Sequence, residues 1–259
     1  MKPLFNSIIH RLRARATDSS SDLKGLSPAV VELVHAVRQK NLTFLSNRKL
    51  ARLARLCEIA TMANSNGMFI EAGCALGGSA ILLAQHKPKN CELRVYDVFA
   101  MIPAPSERDG PDVHQRYEKI SRGEATGLGG DVYYGYQENL YERVCATFSE
   151  FGITPNSEGV YLIKGLVQDT LHVDGPVFLA HIDVDWYDPV TLCLERIVPR
   201  LCDDGFLVLD DYNDWSGCRR AVDDYFRGIK KDYEFDLAAG NLLIAKKSNP
   251  WVRTSAYLL

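Results

Sequence analysis

At 259 residues the chain can bury one large core with a small appendage. Hydrophobic residues make up 46% and charged residues 24%, an ordinary globular mixture, and a net charge of −3 gives no basis for a nucleic-acid partner. The seven cysteines are scattered, odd in number and form no CxxC pair, which fits free thiols in a reducing cytoplasm better than a zinc site or a disulfide framework.

In chain order, the first apolar residues (Leu4, Phe5, Ile8, Ile9) are broken up by His10, Arg11, Arg13 and Arg15, so no secretory segment is expected. Residues 1–60 carry eleven Lys or Arg against four Asp or Glu, which leaves nineteen against twenty-nine for the remainder. That basic lead reads as a solvated helical arm, and the polar run 16–27 as the linker behind it. Between Pro28 and Asn64 the spacing of Val31, Leu33, Val34, Val37, Leu50, Leu53, Leu56 and Ile59 predicts helices packed on a larger body. The period then changes. Met68–Ala72 predicts a strand that runs into Gly73, and Gly78 to His86 a helix. Further strands are predicted at Glu92–Val98, Val160–Lys164, Val177–Val184, Gly205–Leu209 and Asn241–Lys246, with helices at about 138–150, 189–200 and 217–228. No apolar run approaches the roughly 20 residues that span a bilayer.

This alternation predicts an α/β fold over residues 65–248, with a mostly parallel sheet covered by helices on both faces. A helical arm and cap (1–64) precedes it and a tail (249–259) follows. The stretch 103–137 breaks the rhythm with its glycines and with Tyr117, Tyr133, Tyr134 and Tyr136, and reads as a lid insertion over the site. In such sheets ligands gather beyond the carboxyl ends of the strands, where strand order reverses.

Glu71-Ala-Gly73-Cys-Ala-Leu-Gly77-Gly78-Ser79 follows the first strand and opens a helix. Its spacing is not GxGxxG, which weakens a dinucleotide reading. An acidic residue two before the first glycine suits a cationic ligand, such as the amino group or sulfonium of S-adenosylmethionine (SAM). Asp97 lies 24 residues after Gly73, close to the separation of about 20 at which a carboxylate takes ribose hydroxyls. After the third strand, Leu166 and Val167 could lie against an adenine ring, with Gln168 or Asp169 near its exocyclic amine.

Two groups of carboxylates end consecutive strands: Asp183 and Asp185, then Asp210 and Asp211. Four converging acids repel one another and raise their pKa values unless a cation sits among them. A hard divalent ion with oxygen ligands is the economical solution, although Asp210 and Asp211 could merely cap a turn. A metal-bound hydroxyl ionises more readily, and Asp185 could then remove its proton. His181, His114 and His172 are the other base candidates, each read as structural.

FIEAGCALGGSA, the Asp97 strand end, YYGYQENLYERV, KGLVQDTL, HIDVDWYDP and LDDYNDWSGCRRAVDDY together resemble the macrocin O-methyltransferase family, from about Leu42 to Lys246. The resemblance implies a class I SAM-dependent methyltransferase of Rossmann-like fold, Mg²⁺-requiring and commonly dimeric, that acts on a deoxysugar hydroxyl of a small glycosylated acceptor. It implies Asp183, Asp210 and Asp211 as metal ligands and Asp185 as general base. It places Glu71, Gly73, Ser79 and Asp97 at the cofactor, where Ala75, Phe99 and Asp183 are also expected. Leu166 stands where the family often has an aromatic residue. A catechol-type O-methyltransferase and a non-catalytic SAM-fold module are the competing readings, with a nicotinamide dehydrogenase a distant third.

Overall fold

The computed structural model describes residues 19–251. The arm expected at 1–15 and the last residues of the tail lie outside them. The polar run 16–27 is more than a linker, because Ser20–Leu23 forms a 3-10 turn closed by a Ser19–Asp22 capping box.

Helix α1 (Pro28–Gln39) starts where Ser27 caps it and Pro28 pre-sets its first turn. Helix α2 (Asn47–Met62) is capped by Ser46 and buries Leu50, Leu53, Leu56 and Ile59 along one face. Strand β1 (Met68–Ala72) is buried throughout, and helix α3 (Gly78–His86) leads from it to strand β2 (Leu93–Asp97). Helices α4 (Pro111–Ser121) and α5 (Leu140–Glu150) precede strand β3 (Val160–Lys164), and a single turn, α6 (Val167–Thr170), follows it. Then come β4 (Val177–Ile182), α7 (Tyr187–Ile197), β5 (Leu201–Leu209), α8 (Ser216–Phe226), β6 (Tyr233–Asp236) and β7 (Leu242–Lys246).

The seven strands lie in the order β3-β2-β1-β4-β5-β7-β6. Strands β1 to β5 pair in parallel, and β7 runs antiparallel to both β5 and β6. Strand order therefore reverses between β1 and β4. One face packs against α1, α2, α3 and α5 through residues such as Val34, Leu53, Leu83 and Phe148. The other packs against α7 and α8 through Val190, Leu194, Ala221 and Phe226. Burial on both faces is what makes these strands read as apolar runs.

Three differences from the predicted elements have physical causes. Strand β5 begins four residues early, in the polar Leu201–Asp204 segment, because Gly205 lets it approach β4: a Cβ there would stand 2.9 Å from the Val177 carbonyl oxygen. Strand β6 went unpredicted because only Tyr233 and Phe235 of its four residues pack inward. Helix α4 was hidden in a glycine- and tyrosine-rich stretch, yet Val113 and Ile120 bury one face of it. Asn249, assigned to the tail, is buried and donates to the Gly205 carbonyl at 3.2 Å. No helix among the described residues is long and apolar enough to cross a membrane.

Candidate active site at the carboxyl edge of the sheet

The turn between β1 and α3 builds the first wall. Gly73 has φ +84, and a Cβ on it would come within 1.9 Å of the Asp183 carbonyl oxygen, so glycine is required where β1 and β4 part. Gly78 is needed for a different contact: its N–H donates to the Leu42 carbonyl at 3.0 Å, and a Cβ would stand 2.7 Å from that oxygen. Both glycines thus serve close approaches within the chain, beyond the ligand approach read from the sequence. Asp97 ends β2 and takes up this turn. Its Oδ2 accepts from the N–H groups of Cys74 (2.8 Å) and Ala75 (3.0 Å), and its Oδ1 from that of Phe99 (2.7 Å). Burial pushes its carboxyl up, and those amides pull it part of the way back. The Cys74 thiol bonds to it as well, so the four or so positions at which an ionised carboxylate accepts are largely engaged within the chain, and a ligand hydroxyl would compete with the thiol.

Three non-glycine residues at this edge adopt left-handed backbone: Ala75 (φ 48), Phe99 (φ 48) and Asp185 (φ 55). Each costs roughly 1–3 kcal/mol, and such strain gathers at functional sites.

Beyond β4 and β5 the acids converge. Carboxylate oxygens of Asp183, Asp185 and Asp211 lie within 4.8 Å of one another, as do those of Asp210, Asp211 and Asp214. Burial and the charge of Asp210 push the Asp183 carboxyl up to about 7, against the pull of His181 and Asp211. The predicted ligand trio Asp183, Asp210 and Asp211 is divided between these two groupings, with Asp211 common to both. A lysine stands beside the second grouping. Lys49, from α2, donates to Asp210 Oδ2 at 3.0 Å and to the Asp210 carbonyl at 3.2 Å, and lies 3.6 Å from Asp214. Burial lowers the pKa of its ammonium, but the three carboxylates Asp210, Asp214 and Asp211 outweigh that and raise it. One cation therefore already sits in the cluster. Against the acids Asp183, Asp185, Asp210, Asp211 and Asp214 it leaves a negative excess, and hard oxygen donors so spaced fit a divalent ion.

Behind this edge, His181 Nδ1 and Glu71 Oε1 are 2.8 Å apart, and neither side chain is exposed to solvent (0%/0%). Burial lowers the His181 pKa, yet its bond to Glu71 and the nearby acids hold it above the usual imidazole value. Glu71 Oε2 and His181 Nε2 are buried without hydrogen-bond partners among the described residues.

A cavity of about 140 Å³ runs past Gly73, Asp97, Leu166, Gln168 and Asp183. A second, of about 60 Å³, takes in Ala75, Arg116, Tyr133, Asp210 and Trp215. Gly73, Asp97, Tyr134, Asp183, Asp185 and Trp186 border both, so the two are adjacent. The segment 103–137 forms their outer wall and is stitched to the body. Trp186 Nε1 donates to the Pro103 carbonyl at 3.0 Å. Asp109 accepts from Tyr187 N–H at 2.8 Å, and Asp112 accepts from Ser216 N–H at 2.9 Å. Within the segment, Tyr133 and Tyr134 pack with ring centroids 4.4 Å apart. Burial, then Tyr133 and Asp185, push the Tyr134 phenol well up.

Of the predicted site residues, Gly73, Ala75, Asp97, Gln168, Asp183, Asp185 and Asp210 line these cavities. Asp211 is fully buried and joins through the acid cluster. Glu71, Ser79, Phe99 and Asp169 do not line them: Glu71 is bonded to His181, Ser79 is buried in the first turn of α3, Phe99 packs on Tyr141, and Asp169 is exposed on α6. His114, His172 and His181 line neither of these two cavities. The sequence reading missed Lys49, Arg116, Tyr96 and Trp186.

The O-methyltransferase NovP superposes with a TM-score of 0.65 over 93% of this chain and 98% of its own, at 21% identity. The calicheamicin methyltransferase CalS11 superposes with a TM-score of 0.53 over 85% of this chain and 93% of its own, at 15% identity. The fold is thus that of the class I SAM-dependent methyltransferases. The 8-demethyl-8-(2,3-dimethoxy-alpha-L-rhamnosyl)-tetracenomycin-C 4'-O-methyltransferase of Streptomyces olivaceus is 28% identical over 189 residues, 71% of this chain and 67% of that protein. Demethyldecarbamoylnovobiocin O-methyltransferase of Streptomyces niveus is 25% identical over 218 residues, 82% of this chain and 76% of that protein. A sequence model of the macrocin O-methyltransferase (TylF) family matches residues 35–235, and the chain belongs to that family of O-methyltransferases.

Proposed function

We propose that this enzyme transfers the methyl group of SAM to a sugar hydroxyl of a small glycosylated acceptor, with a divalent ion, Mg²⁺, at Asp183 and its neighbours. The observation that carries the reading is that Asp183 and Asp185, clustered with the buried Asp211, line a cavity that also takes in Gly73 and Asp97. Bound SAM supplies an electrophilic methyl on a sulfonium, so no enzyme nucleophile is needed. A divalent ion on these carboxylates would lower the pKa of the acceptor hydroxyl.

The chain's own residues do the rest. Asp97 takes a ribose hydroxyl, Leu166 and Val167 flank the adenine, and Gln168 reads its amine. Asp185 accepts the acceptor's proton on its carboxylate. Phe44, Tyr134, Trp186 and Trp215 offer aromatic faces to the sugar's C–H groups and keep water from the reacting oxygen. The segment 103–137 acts as the lid over that acceptor. The glycoside antibiotics in the relatives' names favour a sugar over a catechol. Seven free thiols suit a reducing cytoplasm. The family resemblance adds a homodimer or larger homo-oligomer, which sedimentation reads directly.

Turnover of a panel of deoxysugar glycosides and catechols, in Mg²⁺ and in chelator, tests the reading. Chelator-sensitive methylation confined to glycosides is expected. Methylation of catechols alone would overturn the acceptor class, and full turnover in chelator would overturn the metal.

A further inference from the structure

Lys49 sits one turn into α2, its backbone N–H bonded to the Ser46 cap at 3.3 Å and its helix anchored by the fully buried Leu50 and Leu53. From that fixed base the side chain crosses to the end of β5, 161 residues away in sequence. There one ammonium meets one aspartate twice, at Oδ2 (3.0 Å) and at the main-chain carbonyl (3.2 Å). Only 15% of the lysine side chain is exposed. A donor that holds both a residue's carbonyl and its carboxylate oxygen restricts the side-chain torsions between them. Asp210, so held, borders the cavity on which Asp183 and Asp185 open.

We propose that Lys49 is a positioning residue of the metal centre, holding the Asp210 carboxylate in the orientation it presents to a divalent cation. The proposal rests on the metal reading above and adds to it the group that prepares the site. A free carboxylate beside Asp183 and Asp211 would be repelled into other rotamers, and binding an ion would have to order it. The lysine makes that adjustment before the ion arrives. Partners that orient a metal ligand in this way are worth about 10–100-fold in metal affinity. Asp214, at 3.6 Å, shares the ammonium without closing the clasp on Asp210.

The test is calorimetric titration of Mg²⁺ into the full-length protein saturated with S-adenosylhomocysteine (SAH). Lys49→Met should weaken the Mg²⁺ Kd about 10–100-fold, while its SAH Kd stays within about threefold of wild type. Lys49→Arg should restore part of the loss, since it returns the charge with a different donor geometry. Arg48→Met, which removes a neighbouring cation of the same helix that bonds to Asp22 instead, should change the Mg²⁺ Kd by less than about threefold. An unchanged Mg²⁺ affinity in Lys49→Met overturns the proposal alone. A parallel loss of Mg²⁺ and SAH affinity also overturns it, because that is the mark of general loosening. No Mg²⁺ binding by the wild-type protein overturns the metal reading beneath it. Should Lys49→Met not fold, Lys49→Gln carries the same comparison.

Discussion

Asp183 shows what an acid at the end of an apolar strand implies. Burial and Asp210 push its carboxyl up to about 7, so in metal-free protein the folded state holds that proton more tightly than the unfolded chain does. Stability from such a group is present at low pH and is lost as pH climbs from about 4 toward 7. Chelated wild-type protein should therefore show a Tm that falls across this range. Asp183→Asn should remove part of the fall, and saturating Mg²⁺ should flatten it by favouring the ionised form. Equal slopes in wild type and variant would place the titration elsewhere. Asp97 makes a different demand. It serves both the turn and the ligand, so Asp97→Ala should weaken SAH binding about tenfold or more, from the loss of a charge-assisted bond. Unchanged affinity in calorimetry would move the ribose contact to another residue. Both acids stood out in the sequence, because a carboxylate that closes an apolar run must find a partner at the strand end. Lys49 did not: among the basic residues of NRKLARLARL it reads as one more solvated charge, and only the folded chain brings it to Asp210.

The elements place these groups by crossing at close range, and Gly73 is where that is most constrained. A methyl there would overlap the Asp183 carbonyl in a backbone that already has φ +84. Gly73→Ala should cost roughly 2–4 kcal/mol, from left-handed strain and overpacking together, read as a lower denaturant midpoint. A midpoint matching wild type would mean that β1 and β4 can part without harm to the edge. Helix α4 is held differently. Asp112, in its first turn, accepts from both the N–H and the Oγ of Ser216 at the start of α8. Asp112→Ala should free one end of the outer wall, raising the acceptor KM about tenfold and leaving the SAH Kd unchanged. A loss of SAH affinity instead would make this helix part of the cofactor site. The long, doubly buried strands were legible because burial on both faces leaves an unbroken apolar signature. Helix α4 and strand β6 were obscured because each buries only a few side chains, in stretches whose glycines, tyrosines and charges dominate the pattern.

At the scale of the whole molecule, the sheet order fixes where a nucleotide can lie, and the start of α3 decides which kind. A dinucleotide needs free N–H groups at that helix end for its pyrophosphate. Here the Gly78 N–H is taken by the Leu42 carbonyl, and the segment through Leu42 and Thr43 covers the place, standing 2.7–2.8 Å from where a Gly78 Cβ would be. What remains open is the cavity of about 140 Å³ along Gly73, Asp97 and Leu166. A ligand that binds only the folded chain stabilises it by about 2.7 kcal/mol at a hundred times its Kd. For a protein of this size that corresponds to roughly 5–11 °C in Tm. SAH at that excess should produce such a shift and NAD none. A shift with NAD would mean that the Leu42 segment yields to a pyrophosphate, and that the wall between α3 and the strand edge is a gate. The absence of a shift with SAH would break the link between the cavity and the family's cofactor, leaving the acid cluster and Lys49 to be explained as structure alone.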